Sequence, residues 1–363
     1  MHKSYIDTPA LLLDAAVLER NQRKMSEFIK GTPVHVRPHV KLHRATPELA
    51  RMQLQAGAIG LTCAKLSEAE ILAEAGVKDI LIANQIVGPR KIERLLRLAE
   101  TTDVAVAIDD RANAEALSRA ANRQQAELRV LIEVNIGHNR SGVAPYGPTL
   151  DLAKAVVEMP ALKFMGLMGY DGHCTLKVKE SEREGLSLAA NTLLAETGRH
   201  VEAHGIAVPI VSAGGTFTYR FASRVEGITE IQPGTYLLMD TAFRENGVQE
   251  FECALSVLTT IISRPTYPGA GRLAIVDAGR KSISPLLGLP EVKDPGDASV
   301  FSLSDEHGRI TLGSASAALS VEDKIELWVR DANGTINQFD RFHVVRDDIV
   351  EAVWRIPLCG QNT

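Results

Sequence analysis

Long apolar runs, basic runs and closely spaced cysteines are all missing from this chain of 363 residues. No segment reaches the roughly 18 consecutive apolar residues of a membrane span, and residues 1–19 lack the features of a secretory leader. Without a basic run, and with a net charge of −5, the chain is not expected to bind nucleic acid. The four cysteines form no Cys-x-x-Cys pair, which argues against a disulfide framework or a zinc site and predicts a cytoplasmic protein with reduced thiols.

The composition is that of a soluble globular protein, with 45% hydrophobic and 23% charged residues. Because a chain of this length exceeds one ordinary compact core, we expect one large domain and a smaller one.

Short apolar runs alternate with amphipathic stretches from about residue 30 to about residue 255. Near-continuous apolar strands that alternate with helices are typical of a parallel sheet covered by helices. Eight such units favour a closed (β/α)8 TIM barrel over an open sheet. The eight predicted strands are His35–Val40, Ala58–Ala64, Asp79–Gln85, Asp103–Ile108, Leu128–Ile136, Phe164–Tyr170, Ile210–Gly214 and Glu230–Leu237.

The pattern changes after about residue 255, where apolar runs are separated by Gly, Pro, Asp and Asn. This change predicts a C-terminal antiparallel β domain, and Tyr5–Leu13 is expected to supply one more of its strands. We therefore predict a barrel over residues 15–252 and a β domain over residues 1–14 plus 253–363. The predicted strands of the β domain are Ala254–Ser263, Leu273–Asp277, Lys324–Val329 and Ile349–Trp354.

The end of the first barrel strand carries a lysine, Lys41, and active sites of such barrels form at the carboxyl ends of the strands. A nucleophilic lysine must be neutral, and nearby cations lower its pKa by disfavouring the ammonium form. The neighbouring basic residues are Arg37, His39, His43 and Arg44. The same composition is also typical of a solvated basic loop.

The end of the seventh strand reads Gly214-Gly215-Thr216, which can offer unhindered backbone N–H groups to a phosphate. Phosphate sites in barrels often follow strands seven and eight, although turns use the same residues. A lysine at one side of the barrel mouth and a phosphate cradle at the other predict a cofactor that carries both an aldehyde and a phosphate.

Collinear segments along nearly the whole chain carry a resemblance to a known family. They are residues 6–14, 37–41, 62–70, 79–84, 212–219, 232–240, 276–279, 304–308 and 350–354. In these segments the sequence resembles the D-threonine aldolase and D-serine dehydratase-like enzymes, which share the alanine racemase-like fold. The resemblance implies pyridoxal 5'-phosphate as cofactor, an amino acid as substrate and a homodimer.

The resemblance also implies roles for single residues. Lys41 matches the lysine that binds the cofactor's aldehyde carbon and then moves the Cα proton of the substrate. Arg140 is expected near the phenolic oxygen of the cofactor and Tyr170 near its pyridine nitrogen. The other expected cofactor-binding residues are His39, Gly214, Gly215, Thr216, Gly234 and Tyr236. Packing roles for the tyrosines and a turn role for the threonine remain open.

The chain departs from the family pattern where other members hold a divalent metal with a His-x-Cys or His-x-Asp pair. The matching positions here are Asp331 and Asn333. One carboxylate and one neutral amide could weakly hold Mg²⁺ or Ca²⁺ but make a poor zinc site. Asp331 also lies in Asp-Ala-Asn-Gly, a good turn sequence, so a turn role is open for it. Without the metal a side chain must act as acid or base, and we expect His173 in that role, with Asp331 second. A structural role for His173 remains open.

The resemblance thus predicts a lyase that acts on D-configured 3-hydroxy amino acids, by aldol cleavage to a small amino acid and an aldehyde. Dehydration of a D-serine type substrate is the first alternative. A racemase using Lys41 and His173 on opposite cofactor faces is the second. The third, a non-catalytic cofactor-binding protein, fits less well because such proteins lack a substantial C-terminal β domain.

Overall fold

The computed structural model describes residues 1–176 and 178–361. The chain forms two compact units that are interleaved along the sequence. One comprises Met1–Lys24, Leu42–Thr46 and Thr235–Gln361, and the other comprises Met25–Lys41 and Pro47–Gly234. The domain boundaries that the sequence suggests, at residues 15 and 252, stay a prediction.

Eight parallel strands form the sheet of the second unit, in the order β2-β9-β8-β7-β6-β5-β4-β3. A parallel bridge between His39 and Thr62 joins the two ends of this row, which closes the barrel. The strands are β2 (His35–Val36), β3 (Leu61–Cys63), β4 (Asp79–Gln85), β5 (Asp103–Ile108), β6 (Leu128–Glu133), β7 (Leu162–Met168), β8 (Ile210–Ala213) and β9 (Glu230–Ile231). The predicted (β/α)8 barrel is confirmed.

Five of the barrel strands (β2, β3, β6, β8 and β9) are shorter than the apolar runs that predicted them. β2 ends at Val36 and β9 at Ile231, because Pro38 and Pro233 follow closely and proline has no N–H to donate to a ladder. The regular ladder between β2 and β9 thereby ends early, and the segments that follow these two strands carry Lys41 and Gly234.

Ten helices lie among the described residues, and their starts follow local rules. α4 begins with Pro89, which needs no hydrogen-bond partner at a helix start, and α5 follows Asp110, whose carboxylate accepts the N–H of Asn113. The helices are α1 (Ala15–Lys30), α2 (Pro47–Gln55), α3 (Leu66–Glu74), α4 (Pro89–Ala99), α5 (Arg111–Arg123), α6 (Gly147–Glu158), α7 (Glu180–Glu202), α8 (Tyr219–Ala222), α9 (Thr241–Glu245) and α10 (Ala332–Ile336).

The first unit contains a nine-stranded sheet in which β1 lies between β10 and β16. The pairing of β1 confirms that the start of the chain supplies a strand to the β domain. The sheet is antiparallel except for β1 and β16, which run parallel. Its strands are β1 (Ala10–Asp14), β10 (Leu255–Ser263), β11 (Leu273–Val276), β12 (Glu291–Asp294), β13 (Ser299–Leu303), β14 (Gly308–Thr311), β15 (Lys324–Trp328), β16 (Arg341–Arg346) and β17 (Ile349–Arg355).

Each unit has its own apolar core. Burying one valine, leucine, isoleucine or methionine side chain contributes about 1.5–3 kcal/mol relative to leaving it exposed. In the barrel unit one cluster consists of Leu81, Ala105, Ala107, Leu131 and Met168. In the β domain one cluster consists of Ile6, Ala10, Leu12, Leu258 and Val345. Within residues 1–176 and 178–361 no helix is long and apolar enough to cross a membrane.

Candidate active site

Lys41 lies five residues after β2, at the carboxyl end of the barrel strands. Its backbone N–H donates to Nδ1 of His39 at 3.3 Å. The residue keeps contact with solvent at the barrel mouth, but protein atoms surround its amine. This burial lowers the pKa of Lys41, the charge of Arg140 lowers it further, and Glu68 partly opposes both. A larger share of the amine is therefore neutral, as nucleophilic attack requires.

The cation that lowers the pKa of Lys41, Arg140, is not one of the four basic neighbours expected from the sequence. Arg37 is buried, and its Nε donates to Glu230 at 3.0 Å while its Nη1 donates to Asp79 at 2.9 Å. Those two carboxylates begin β9 and β4, at the opposite end of the barrel from the mouth. The prediction that Arg37 lowers the pKa of Lys41 was wrong, because sequence neighbours on a strand point to different places.

Tyr170 is the aromatic residue against which the basic groups gather. Nζ of Lys41 lies 5.7 Å from the centre of its ring, and Cζ of Arg140 lies 5.6 Å from it. Burial raises the pKa of Tyr170 to about 12, with a further contribution from the neighbouring Asp171. The hydroxyl is therefore protonated and neutral at physiological pH.

Arg140 is held near this ring by a buried carboxylate, Glu133, at the end of β6. One oxygen of Glu133 accepts a hydrogen bond from Nε2 of Gln85 at 2.6 Å, and the other accepts from the hydroxyl of Ser141 at 2.8 Å. Nη2 of Arg140 lies 3.7 Å from the same carboxylate. These contacts restrict the guanidinium, which is otherwise half-exposed.

Hydrogen bonds to a buried carboxylate hold the predicted phosphate loop after β8, residues 214–216. The N–H of Gly215 donates to the hydroxyl oxygen of Thr218 at 3.1 Å, and that hydroxyl donates to Asp171 at 3.0 Å. The carboxylate of Asp171 is fully buried and also accepts hydrogen bonds from Ser187 and Asn191. Burial raises the pKa of Asp171, while these three hydrogen bonds oppose that rise. The N–H of Gly215 thus serves the loop's own structure.

The loops after β8 and β9 meet the segment that carries Lys41. The N–H of Gly234 donates to the hydroxyl oxygen of Thr216 at 3.2 Å, and the N–H of His39 donates to the carbonyl of Pro233 at 3.2 Å. A Cβ on Gly234 would overlap the carbonyl oxygen of His39, so only glycine permits this approach. The structure thereby brings together three of the predicted cofactor-binding residues: His39, Thr216 and Gly234.

Two histidines follow the neighbouring strands β6 and β7 near Tyr170. His173 lies in a short 3₁₀ turn after β7, and its Nδ1 is buried with no hydrogen-bond partner among the described residues. His138 follows β6 and meets the ring of Tyr170 edge-on, with 5.3 Å between ring centres. Burial lowers the pKa of His138, and the charges of Arg140 and His173 lower it further.

Three predicted residues belong to the other compact unit. Tyr236 is fully buried, packs on Phe251 and donates its hydroxyl to Gln22 at 3.3 Å. Asp331 is buried and accepts hydrogen bonds from the hydroxyl of Ser284 at 2.5 Å and the N–H of Gly334 at 3.1 Å. Asn333 is exposed. The roles expected for these residues stay predictions.

The donors at the expected metal position do not fit a metal ion. Both oxygens of Asp331 already accept hydrogen bonds, one of which caps α10, and Asn333 lies on the exposed side of the same short helix. In the described part of the chain no three His, Cys, Asp or Glu side chains are grouped so that they could hold a metal. We derive no step of the reaction from a metal.

Four residues of the mouth were not singled out from the sequence: Glu133, His138, Asp171 and Thr218. One of them, His138, left a signal, because Gly137-His138 and Gly172-His173 repeat the same dipeptide after neighbouring strands. The other three are two buried acids and a threonine, whose importance depends on hydrogen bonds that no spacing predicts.

Comparison with known proteins agrees with this geometry. Residues 13–242 match the family model described as the alanine racemase N-terminal domain, and residues 254–345 match the one described as a putative serine dehydratase domain. The chain is 35% identical to the 3-hydroxy-D-aspartate aldolase of Paracoccus denitrificans (strain Pd 1222), over 100% of this chain and 94% of that one. The chain belongs to the D-threonine aldolase and D-serine dehydratase-like family.

Other members of the family are similar over most of their length. A solved D-threonine aldolase from Filomicrobium marinum superimposes with a TM-score of 0.93 at 34% identity, over 98% of this chain and 97% of that one. The D-threo-3-hydroxyaspartate dehydratase of Delftia sp. (strain HT23) is 32% identical, over 85% of this chain and 80% of that one. The resemblance inferred from the sequence is confirmed.

The mouth of the barrel fits the cofactor of this pyridoxal phosphate-dependent family. A lysine with a lowered pKa suits an aldehyde, and Arg140 suits an acidic phenol. Tyr170, neutral and half-buried, suits a ring nitrogen, and the two glycine-containing loops beside Thr216 have the small residues and the hydroxyl that suit a phosphate. The donor set therefore supports pyridoxal phosphate and gives no comparable support for a metal.

Proposed function

We propose that this chain is a pyridoxal phosphate-dependent lyase that cleaves D-configured 3-hydroxy amino acids to a small amino acid and an aldehyde. The observation that carries this proposal is the position of Lys41, whose amine has a lowered pKa and lies against Tyr170 beside Arg140. The full-length similarity to two aldolases supports the reaction type.

Each residue of the mouth has a distinct task in this proposal. Lys41 would hold the cofactor at its aldehyde carbon, and its amine would carry the proton of the substrate's Cα. Arg140 would bind the phenolic oxygen, and Tyr170 would meet the pyridine nitrogen without charging it. The loops of Gly214, Gly215, Thr216 and Gly234 would hold the phosphate. When bound, pyridoxal phosphate accepts the electron pair that is released at the substrate's Cα.

His173 is proposed as an acid–base group for the substrate's 3-hydroxyl. Its buried, unpartnered Nδ1 has room for a hydrogen bond that the described residues do not supply. His173 takes the role that the resemblance gives to a metal in other members. Asp331 is not free to bind that metal, since its carboxylate accepts hydrogen bonds from Ser284 and from the start of α10. Treatment with a chelator is expected to leave activity nearly unchanged, and a complete loss reversed by added metal would contradict this.

A D-3-hydroxy amino acid dehydratase is the second candidate, favoured by the similarity to the Delftia enzyme. In that reaction the substrate loses its 3-hydroxyl as water and yields a keto acid and ammonia. Cleavage at Cα–Cβ yields an aldehyde instead, so the products separate the two candidates directly.

The deciding experiment is a screen of the purified protein with its cofactor against D- and L-3-hydroxy amino acids. Aldehyde, keto acid and amino acid of inverted configuration are detected separately. We expect aldehyde from the D substrates with the wild type and with Lys91→Ala, whose lysine is exposed on α4, and none with Lys41→Ala. Inverted substrate as the main product would indicate a racemase, and cofactor binding without any product would indicate a non-catalytic protein.

We also propose a cytoplasmic homodimer, as the resemblance and the scattered cysteines suggest. Light scattering of the purified protein tests the assembly, and a mass equal to one chain would contradict it.

A further inference from the structure

Two glycine–histidine dipeptides at the barrel mouth pack against each other. Gly137-His138 follows β6 and Gly172-His173 follows β7, and these two strands are paired. A Cβ on Gly137 would lie 2.9 Å from Cε1 of His173, and a Cβ on Gly172 would lie 2.8 Å from Cε1 of His138. Each glycine therefore leaves the space that the other dipeptide's imidazole fills.

This imidazole pair lies across Tyr170 from the phosphate loop. A Cβ on Gly172 would overlap Cε1 of the tyrosine ring, whereas a Cβ on Gly215 would lie 3.5 Å from Cε2. Cε1 and Cε2 are on opposite edges of the ring, so the pair and the loop flank it from two sides. Lys41 and Arg140 lie against the same ring. One tyrosine thus separates a site suited to phosphate from a site with two imidazoles.

The charges around His138 favour the neutral imidazole. Burial lowers the pKa of His138 first, and the neighbouring Arg140 and His173 lower it further. Glu133 and Asp171 oppose this effect in part. Because the net effect is a lowered pKa, the ring can accept a proton at neutral pH.

We propose that His138 and His173 form an imidazole pair that binds the substrate's 3-hydroxyl and takes its proton during cleavage. This inference rests on the proposed function. The hydroxyl proton passes to an imidazole, the C–O bond becomes the carbonyl of the leaving aldehyde, and the Cα–Cβ bond breaks with its electron pair on Cα. Cα then takes a proton from Lys41, and the imidazolium returns its proton to solvent.

The test compares two reactions of the holoenzyme that differ in their need for a hydroxyl. D-Threonine cleavage is followed by aldehyde release, and exchange of the glycine Cα proton is followed in D₂O. Glycine has no 3-hydroxyl. Exchange of its Cα proton is the reverse of the protonation at Cα by which an aldolase completes its product glycine. The comparison therefore isolates the step at the hydroxyl from the step at Cα.

Changing either histidine is expected to affect the two reactions unequally. His138→Gln and His173→Gln should each lower D-threonine cleavage about 10²- to 10³-fold, a usual effect of losing a general acid–base. Their loss of glycine exchange should be at least about tenfold smaller, because that reaction does not use the pair. His35→Gln, an exposed histidine at the start of β2, is the matched control. Equal losses in both reactions, or no loss, would overturn the inference.

A titration of the cofactor-free protein gives an independent readout. In His173→Gln the pKa of His138, followed by imidazole NMR signals, should rise because the neighbouring imidazole that lowers it is gone. An unmoved pKa would show that the two rings are not paired. A wild type that binds cofactor but releases no aldehyde from any D-3-hydroxy amino acid would instead refute the proposed function, and the inference with it.

Discussion

The approach of Gly234 to His39 gives a prediction whose size follows from the structure. A methyl group in Gly234→Ala would stand about 1 Å inside ordinary contact with the carbonyl oxygen of His39. That oxygen belongs to backbone, and so it can move away only if the loop after β9 or the segment leading to Lys41 shifts. Overpacking of this kind costs about 1–3 kcal/mol of stability. A shift of about 1 Å in a positioning segment can lower a rate about 100-fold.

The assay measures the dissociation constant for pyridoxal phosphate, the rate of aldehyde release and the unfolding temperature. Gly185→Ala is the matched control, because a Cβ there meets nothing within 4 Å and the residue lies within helix α7. We expect the control to behave as the wild type and Gly234→Ala to lose both affinity and rate. Wild-type affinity and rate in Gly234→Ala would refute the reasoning, whatever its unfolding temperature.

Three further predictions concern groups whose environment is defined by the structure. Thr218→Val removes the acceptor of the Gly215 N–H and a donor to Asp171, so the affinity for the cofactor should fall. The unsatisfied buried groups should cost about 1–3 kcal/mol of stability. Thr218→Ser should restore the affinity in the same binding assay. Arg140→Gln should raise the pKa of Lys41, so that in cofactor-free protein the amine becomes reactive only at higher pH, as labelling kinetics would reveal. Burial raises the pKa of Asp240 from 3.8 to about 6, so the protonated carboxyl stabilises the folded state, and this stabilisation is lost as the pH rises through this range. In Asp240→Asn the free energy of unfolding, measured with denaturant, should therefore fall less steeply with pH. An unchanged slope would contradict the raised pKa of Asp240.

The barrel could be predicted from the sequence because its signals are local. Apolar runs that alternate with amphipathic stretches identify strands such as β4 and β5 at their true bounds. The strands β12, β13, β14 and β16 of the β domain were not predicted; β12, for example, carries polar residues and pairs with β15, far along the chain. Their stability comes from pairing, which single-sequence patterns do not contain.

The candidate site, like the fold, could be predicted from the sequence only in part. Lys41 could be found from its strand end and its family pattern, but the source of its lowered pKa could not. Arg37 is near Lys41 in sequence and faces the other end of the barrel, whereas Arg140 is distant in sequence and acts on the amine. His138 was overlooked because a histidine gains meaning only from what packs on it, here Gly172 and Tyr170.

The central claim, that Lys41 binds the cofactor, is tested most directly by fixing the cofactor in place. The holoenzyme is reduced with borohydride, which makes the bond between cofactor and amine permanent, and then digested and analysed by mass spectrometry. We predict that the added pyridoxyl phosphate mass lies on the peptide that contains Lys41, and that Lys41→Ala carries none. The mass on another lysine, or no covalently bound cofactor in the wild type, would contradict the account.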